Sequence, residues 1–159
     1  MPLVYLGLGS NIGDKEAHIA QALRLISEIC EVKKKSHLYL TEPVGNCHQD
    51  WFLNCVVEVE TELDPKHLLS CIKSIERTLG RVKTVKNGPR IIDIDILFYG
   101  DQIVQTKNLI IPHPLLQERL FVLQPMMDIN ADFVHPVLKK SIQELYKNHP
   151  KNQKILLHE

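Results

Sequence analysis

The segment R-I-I-D-I-D-I-L-F-Y, Arg90 to Tyr99, most constrains what this chain can become, because it reads as a buried β-strand that carries two acids. Side chains alternate across a strand, so Asp93 and Asp95 share one face, and Ile92, Ile94, Ile96 and Phe98 are expected on the other. An ionised carboxylate among isoleucines costs several kcal/mol unless it is paired or bound to a cation. Two of them, about 7 Å apart at Cα by strand rise, also repel each other. Either this is an edge strand with one wet face, or its acidic face belongs to a site that supplies positive charge. The flanking residues favour the second reading.

Around that strand the chain alternates between the two regular periods. Residues 4–8 read as a short apolar strand, stopped by the turn-rich G-S-N-I-G-D. After Asp14, the set Ile19, Ala22, Leu23, Ile26 and Cys30 follows the helical period. A strand is expected near residues 37–40. Residues 52–61 alternate, with Leu53, Cys55, Val57 and Val59 against Phe52, Asn54, Val56, Glu58 and Glu60, which predicts a half-buried strand. A second helix has Asp64 as N-cap, Pro65 at its first position, an apolar stripe at Leu68, Ile72, Ile75 and Leu79, and Gly80 just past its end. Residues 81–90 are basic and irregular, a loop runs to Pro112-His113-Pro114, and a last helix is expected over 138–147. Strand, helix, strand, strand, helix, strand predicts an α+β fold: a ferredoxin-like α/β sandwich, mainly antiparallel, with helices packed on one face of the sheet and ligand loops on the other. No repeat, low-complexity run or Gly/Ser linker divides the chain, so residues 1–159 are read as one domain.

Charge narrows the partners. Lys and Arg number 19 against 19 Asp and Glu, so no field favours nucleic acid or an anionic membrane. Neither a secretory leader nor an apolar run of about 18 residues appears, which predicts a cytoplasmic protein. Cys30, Cys47, Cys55 and Cys71 lack C-x-x-C spacing and are expected as reduced thiols; Cys47-His48 with Cys55 makes too few ligands for a zinc site.

The glycines of G-L-G-S-N-I-G do not keep the G-x-G-x-x-G spacing, and no Walker loop is present, so a nucleotide would have to be held in another way. Phe52 and Asn54 lie two residues apart and point the same way. An aromatic face beside a donor–acceptor amide suits a flat heterocycle, and Phe121 could close a sandwich around it. Arg81, Lys83, Lys86, Arg90 and Arg119 offer positive charge near the acids. Asp93 and Asp95 suit a hard divalent cation, above all magnesium, which borrows substrate phosphates to complete its shell.

These residues together carry a family resemblance. G-P-R-I-I-D-I-D-I-L, Gly88 to Leu97, closely resembles the G-P-R-x-x-D-x-D-I-L signature of 6-hydroxymethyl-7,8-dihydropterin pyrophosphokinase, which moves a diphosphate from ATP to a pterin alcohol in folate synthesis. Y-L-G-L-G-S-N-I-G-D, T-E-P-V-G, F-L-N, I-E-x-x-x-G-R, I-P-H-P and E-R-L-F-V-L follow in the family's order across almost the whole chain. The resemblance implies that Asp93 and Asp95 bind two Mg2+ ions that bridge the ATP phosphates. It implies that Phe52 and Phe121 sandwich the pterin while Asn54 and the backbone of Thr41, Glu42, Pro43 and Val44 bond its polar edge. Glu76, Arg81, Arg90, His113 and Arg119 match positions used around ATP, with Arg81 and Arg90 beside the acids as catalytic groups and Arg81 on a mobile loop. The family commonly acts as a monomer. The chain departs from it at Asn87, where many members carry tryptophan before G-P-R. A non-enzymatic α+β module that binds a small molecule on an open sheet would explain Phe52, Asn54 and Phe121, yet it leaves the acids and arginines idle.

Overall fold

A computed structural model describes residues 2–43, 49–81 and 89–158 of the chain. Strand β1 (Leu3–Ser10) leads to α1 (Lys15–Ile26), β2 (Glu31–Lys35), β3 (Leu38–Thr41), β4 (Phe52–Glu60), α2 (Pro65–Thr78) and β5 (Asp93–Tyr99). A small hairpin of β6 (Val104–Gln105) and β7 (Ile110–Ile111) precedes a 3-10 turn at Leu116–Glu118, then α3 (Leu120–Asn130), α4 (Ile142–Asn148) and β8 (Ile155–His158). The main sheet runs β5-β1-β4-β3-β8, with β2 also on β4, and its pairings are antiparallel. The expected α+β sandwich is the fold observed.

Side-chain chemistry sets the helix ends. Asp14 accepts from the N–H of Ala17 at 3.1 Å, and Asp64 accepts from that of His67 at 2.8 Å, each satisfying a donor that the first helical turn leaves open. Pro65 starts α2, and Gly80 follows its C-terminus at φ +92°, a conformation that costs other residues a Cβ clash.

Two cores sandwich the sheet. On one face Val4, Leu6 and Leu8 of β1, Leu53, Cys55, Val57 and Val59 of β4, and Ile94 and Ile96 of β5 meet Ile19, Ala22 and Ile26 of α1 and Leu68, Ile72 and Ile75 of α2. On the other, Tyr5, Val56, Leu97 and Phe98 meet Val122, Leu123, Met126 and Ile129 of α3 and Ile142 and Leu145 of α4. Helices therefore lie on both faces, not one. The reason is α3, whose L-F-V-L-Q-P-M-M run is too apolar to stay in water. Its coverage also buries β4 from Leu53 to Val59 on both sides, where a half-buried strand was expected.

A second difference concerns Phe98. Between Tyr5 and Leu6 the β1–β5 register slips, so Tyr5 faces Phe98 while Leu6 faces Ile96, and Leu97 is the extra residue of a bulge. Phe98 thereby turns away from Ile94 and Ile96 and meets Tyr5 edge to face, with ring centroids 6.1 Å apart. Asp93 and Asp95 precede the bulge and keep their shared face.

Cys30, Cys55 and Cys71 are free thiols, as expected, and burial pushes that of Cys55 up to about 12. Cys47 and His48 lie outside the described residues. Among the described residues no helix is long and apolar enough to cross a membrane.

Candidate active site

The uncovered part of the second face becomes a cleft because of one strand's composition. β1 lies between β5 and β4 and sets Gly9 opposite both Asp93 and Asn54, and Gly7 opposite both Asp95 and Val56. Two strand spacings, about 10 Å, therefore separate the acids from the amide, with no side chain standing between them. The trough is a cleft of about 350 Å³. Gly7 and Gly9, from the motif unsuited to dinucleotide binding, line a small pocket with Phe52, Asn54, Asp93, Asp95 and Phe121 between the two walls.

One wall is aromatic and amide. Phe52 and Asn54 of β4 line it with Phe121, the second residue of α3. Asn54 Nδ2 donates to Thr41 Oγ1 at 2.6 Å, and Thr41 pairs with Phe52 across the β3–β4 ladder, so the amide is held in one orientation. Thr41 and Glu42 extend this wall. Pro43 is described but does not line the cleft, and Val44 lies outside the described residues. A Cβ on Gly9 would sit 2.6 Å from Asn54 Oδ1, whereas one on Gly7 would meet only a Leu97 methyl at 3.4 Å. Gly9→Ala is accordingly expected to cost about 1–3 kcal/mol by overpacking and to displace Asn54. Gly7→Ala should cost less, and thermal melts of the two variants compare them directly.

The facing wall is charged. Asp93 pairs with Arg81 Nη1 at 3.1 Å and Arg90 Nη1 at 3.4 Å. The same Arg81 nitrogen donates to Glu76 Oε2 at 2.6 Å. Glu76 is buried behind this wall, not in it; it also meets Lys73 at 3.3 Å and accepts from the N–H of Ile94 at 2.9 Å. Asp95 has no such direct partner, and the Arg119 and Lys73 charges offset its burial only in part. Among the described residues no hydrogen bond or ion pair reaches it, and although it opens on the cleft it lies deep in protein. Burial first, and the neighbouring Asp93 charge second, push its carboxyl up to about 7. Two hard oxygen donor groups, one short of positive charge, suit a divalent cation shared with an anionic ligand.

His113 and Arg119 complete the rim. The backbone N–H of His113 donates to Leu97 O at 3.0 Å, which fixes the Pro112-His113-Pro114 loop to β5. Its Nδ1 accepts from the N–H of Leu115 at 3.2 Å, while burial, then the Arg119 charge, lowers the ring to about 4. A neutral ring engaged at Nδ1 leaves Nε2–H as donor. The Arg119 guanidinium stands 5.4 Å from the Phe121 ring centroid, joining the charged and aromatic parts. Lys83, Lys86 and Asn87 lie outside the described residues.

Besides the two glycines, sequence reasoning missed Lys73 and Asn11. Lys73 lines the cleft from α2, three residues before Glu76, and only its helical spacing from that acid hinted at this. Asn11 is buried, donates to Gln49 Oε1 at 2.7 Å and Asp50 O at 3.1 Å, and accepts from the N–H of Arg90 at 2.7 Å. It ties the turn after β1 to the approaches of both β4 and β5.

Comparison with known proteins gives a concordant result. The family model described as 7,8-dihydro-6-hydroxymethylpterin-pyrophosphokinase matches residues 5–131. The chain is 42% identical over 144 residues to 2-amino-4-hydroxy-6-hydroxymethyldihydropteridine pyrophosphokinase of Aquifex aeolicus, covering 91% of this chain and 90% of that protein. It is 44% identical over 148 residues to the folic acid synthesis protein FOL1 of Dictyostelium discoideum, covering 93% of this chain but only 22% of that one. Among solved structures, wild-type HPPK-DHPS of Plasmodium falciparum superposes with a TM-score of 0.74 at 20% identity, over 92% of this chain and 44% of that chain, a likeness of fold.

Proposed function

Since this chain belongs to the 7,8-dihydro-6-hydroxymethylpterin-pyrophosphokinase family, we propose that it transfers a diphosphate from ATP to 6-hydroxymethyl-7,8-dihydropterin in folate synthesis, releasing AMP. The observation that carries this reading is the pairing of two unlike walls across Gly9. One suits a flat, hydrogen-bonding heterocycle and the other suits a metal-bound polyphosphate. A reaction between a pterin alcohol and a triphosphate needs both, side by side.

In this reading Phe52 and Phe121 stack on the pterin, and Asn54 with the backbone of residues 41–44 reads its edge. The hydroxymethyl oxygen is thereby aimed at the β-phosphorus of ATP. Arg81, Arg90, Arg119 and the Nε2–H of His113 bind phosphate oxygens, Lys73 adds charge from α2, and Glu76 holds Arg81 in place. Asp93 and Asp95 would hold two Mg2+ ions, whose contribution when bound is to neutralise the triphosphate and acidify the attacking alcohol. Orientation and charge neutralisation supply most of the acceleration. The family's usual action as a monomer is proposed for this chain too, and the free thiols among the described residues fit a cytoplasmic setting.

Incubation with ATP, Mg2+ and the pterin is expected to yield AMP and pterin diphosphate in equal amounts. ADP would identify a single-phosphate kinase, and AMP release indifferent to the pterin would refute the reading. Phe121→Ala separates the walls: the pterin Kd should rise about tenfold to a hundredfold, while the ATP Kd moves no more than about threefold, because the half-buried cation–π contact with Arg119 is modest. Calorimetry with each ligand reads both, and equal losses would undo the aromatic assignment.

A further inference from the structure

The last strand of the fold has little to do with the core. β8 is an edge strand whose Leu156 and Leu157 are 58% and 54% exposed, and it lies beyond residue 131, where the family match ends. Its polar contacts converge on one place instead. β8 pairs antiparallel with β3, bringing Ile155 opposite Thr41. Just before it, Gln153 Nε2 donates to the backbone carbonyl of Glu42 at 2.8 Å, and the N–H of Lys154 donates to Glu42 Oε1 at 2.9 Å. The N–H of Glu42 in turn donates to the carbonyl of Lys154 at 3.2 Å. The far end of the strand is tied down by a hydrogen bond between His158 Nε2 and Glu16 of α1. Three hydrogen bonds thus grip the residue at which the aromatic–amide wall leaves the sheet.

We infer that the C-terminal segment from Gln153 to His158 is a positioning element for the heterocycle wall: it holds the backbone of Thr41 and Glu42 so that Thr41 Oγ1 can orient Asn54 and the 41–42 peptides can meet a ligand edge. Without this grip Thr41 and Glu42 have no partner on their outer side among the described residues. Asn54 would then lose the fixed acceptor that holds its amide at 2.6 Å. The charged wall, built on β5, α2 and the Pro112–Pro114 loop, makes none of these contacts. The effect is therefore confined to one substrate. This inference rests on the pterin assignment above.

The test uses the full-length double variant Gln153→Ala/Lys154→Pro, which removes both donors to Glu42 and leaves the cleft's own side chains intact. The pterin Kd and KM are expected to rise about tenfold, as for the loss of one or two hydrogen bonds, with ATP-analogue affinity and kcat at saturating pterin within about twofold of wild type. Leu157→Ser, on the same strand but without such bonds, should leave both affinities unchanged. Unaltered pterin binding in the double variant would overturn the inference, as would an equal loss for both ligands, which marks a merely structural role. Asn54→Ala distinguishes the two layers of the reading: if it fails to weaken pterin binding, the pterin assignment itself falls. If it weakens binding and the tail variant does not, only the positioning role falls.

Discussion

Asp95→Asn is expected to be more stable than the wild-type protein at pH 8 without divalent metal, and at the same time to be inactive. In the ligand-free fold, burial and the Asp93 charge hold the Asp95 carboxyl at about 7 instead of the ordinary 3.8. A raised folded-state value means that the folded protein keeps a proton which the unfolded chain has already released. That contribution is complete in acid below the ordinary value and is lost as pH climbs through about 7. Asparagine has no proton to lose, so its stability should stay level across this window and exceed that of wild type by a few kcal/mol at pH 8. Added Mg2+ with an ATP analogue should reverse the order, because ligation stabilises only a protein that binds the ion. Turnover should drop by at least about a thousandfold with the loss of a charged metal ligand. Melting curves from pH 4 to 9, with and without metal, check the stability claim. An asparagine variant no more stable than wild type above pH 7, or one with near-normal turnover, would show that Asp95 is not an anion awaiting a cation.

How much of this was legible in the residues depends on how local each cause is. The ends of α2 could be read because Asp64, Pro65 and Gly80 act within one turn of where they stand. The acidic pair was legible because two aspartates in an isoleucine run violate burial rules whatever surrounds them. α3 was not, since an apolar run buried between α4 and the sheet has no polar face to show a period, and Pro125 lies inside it. Missing α3 meant that half of the second face was taken as open. β2, E-V-K-K-K, hides its one partly buried valine among lysines, and β8 is a strand only because β3 offers an edge. Phe98 shows the same limit at one residue: the bulge that turns it depends on how β5 registers against β1. Gly9 is the most instructive case. Its role follows from facing Asp93 and Asn54 at once, a relation among three strands that no spacing within G-L-G-S-N-I-G records.

Arg81 joins both halves of the charged wall, and its removal should separate binding from chemistry. One guanidinium nitrogen contacts Glu76 and Asp93 together, so before ligands arrive it supplies part of the positive charge that Asp93 needs. With Asp93 holding a cation, that service would be redundant, and the Arg81 guanidinium, still anchored by buried Glu76, would be free to meet a phosphate. Arg81→Ala is therefore expected to lower kcat by about a thousandfold, the low end of what arginines that stabilise phosphoryl transfer contribute, while the ATP-analogue Kd rises less than about tenfold. It should also destabilise the fold by about 1–3 kcal/mol, because among the described residues Glu76 keeps only Lys73 and the Ile94 N–H as partners. Arg81→Lys retains the charge and one nitrogen for Glu76, but it has no second N–H edge to turn toward a phosphate while that anchor holds, so it should recover most of the stability and little of the rate. Single-turnover measurements at saturating ATP and pterin isolate the chemical step. A defect confined to ATP affinity, with kcat intact, would reduce Arg81 to a binding residue; full rescue of rate by lysine would show that charge alone suffices there.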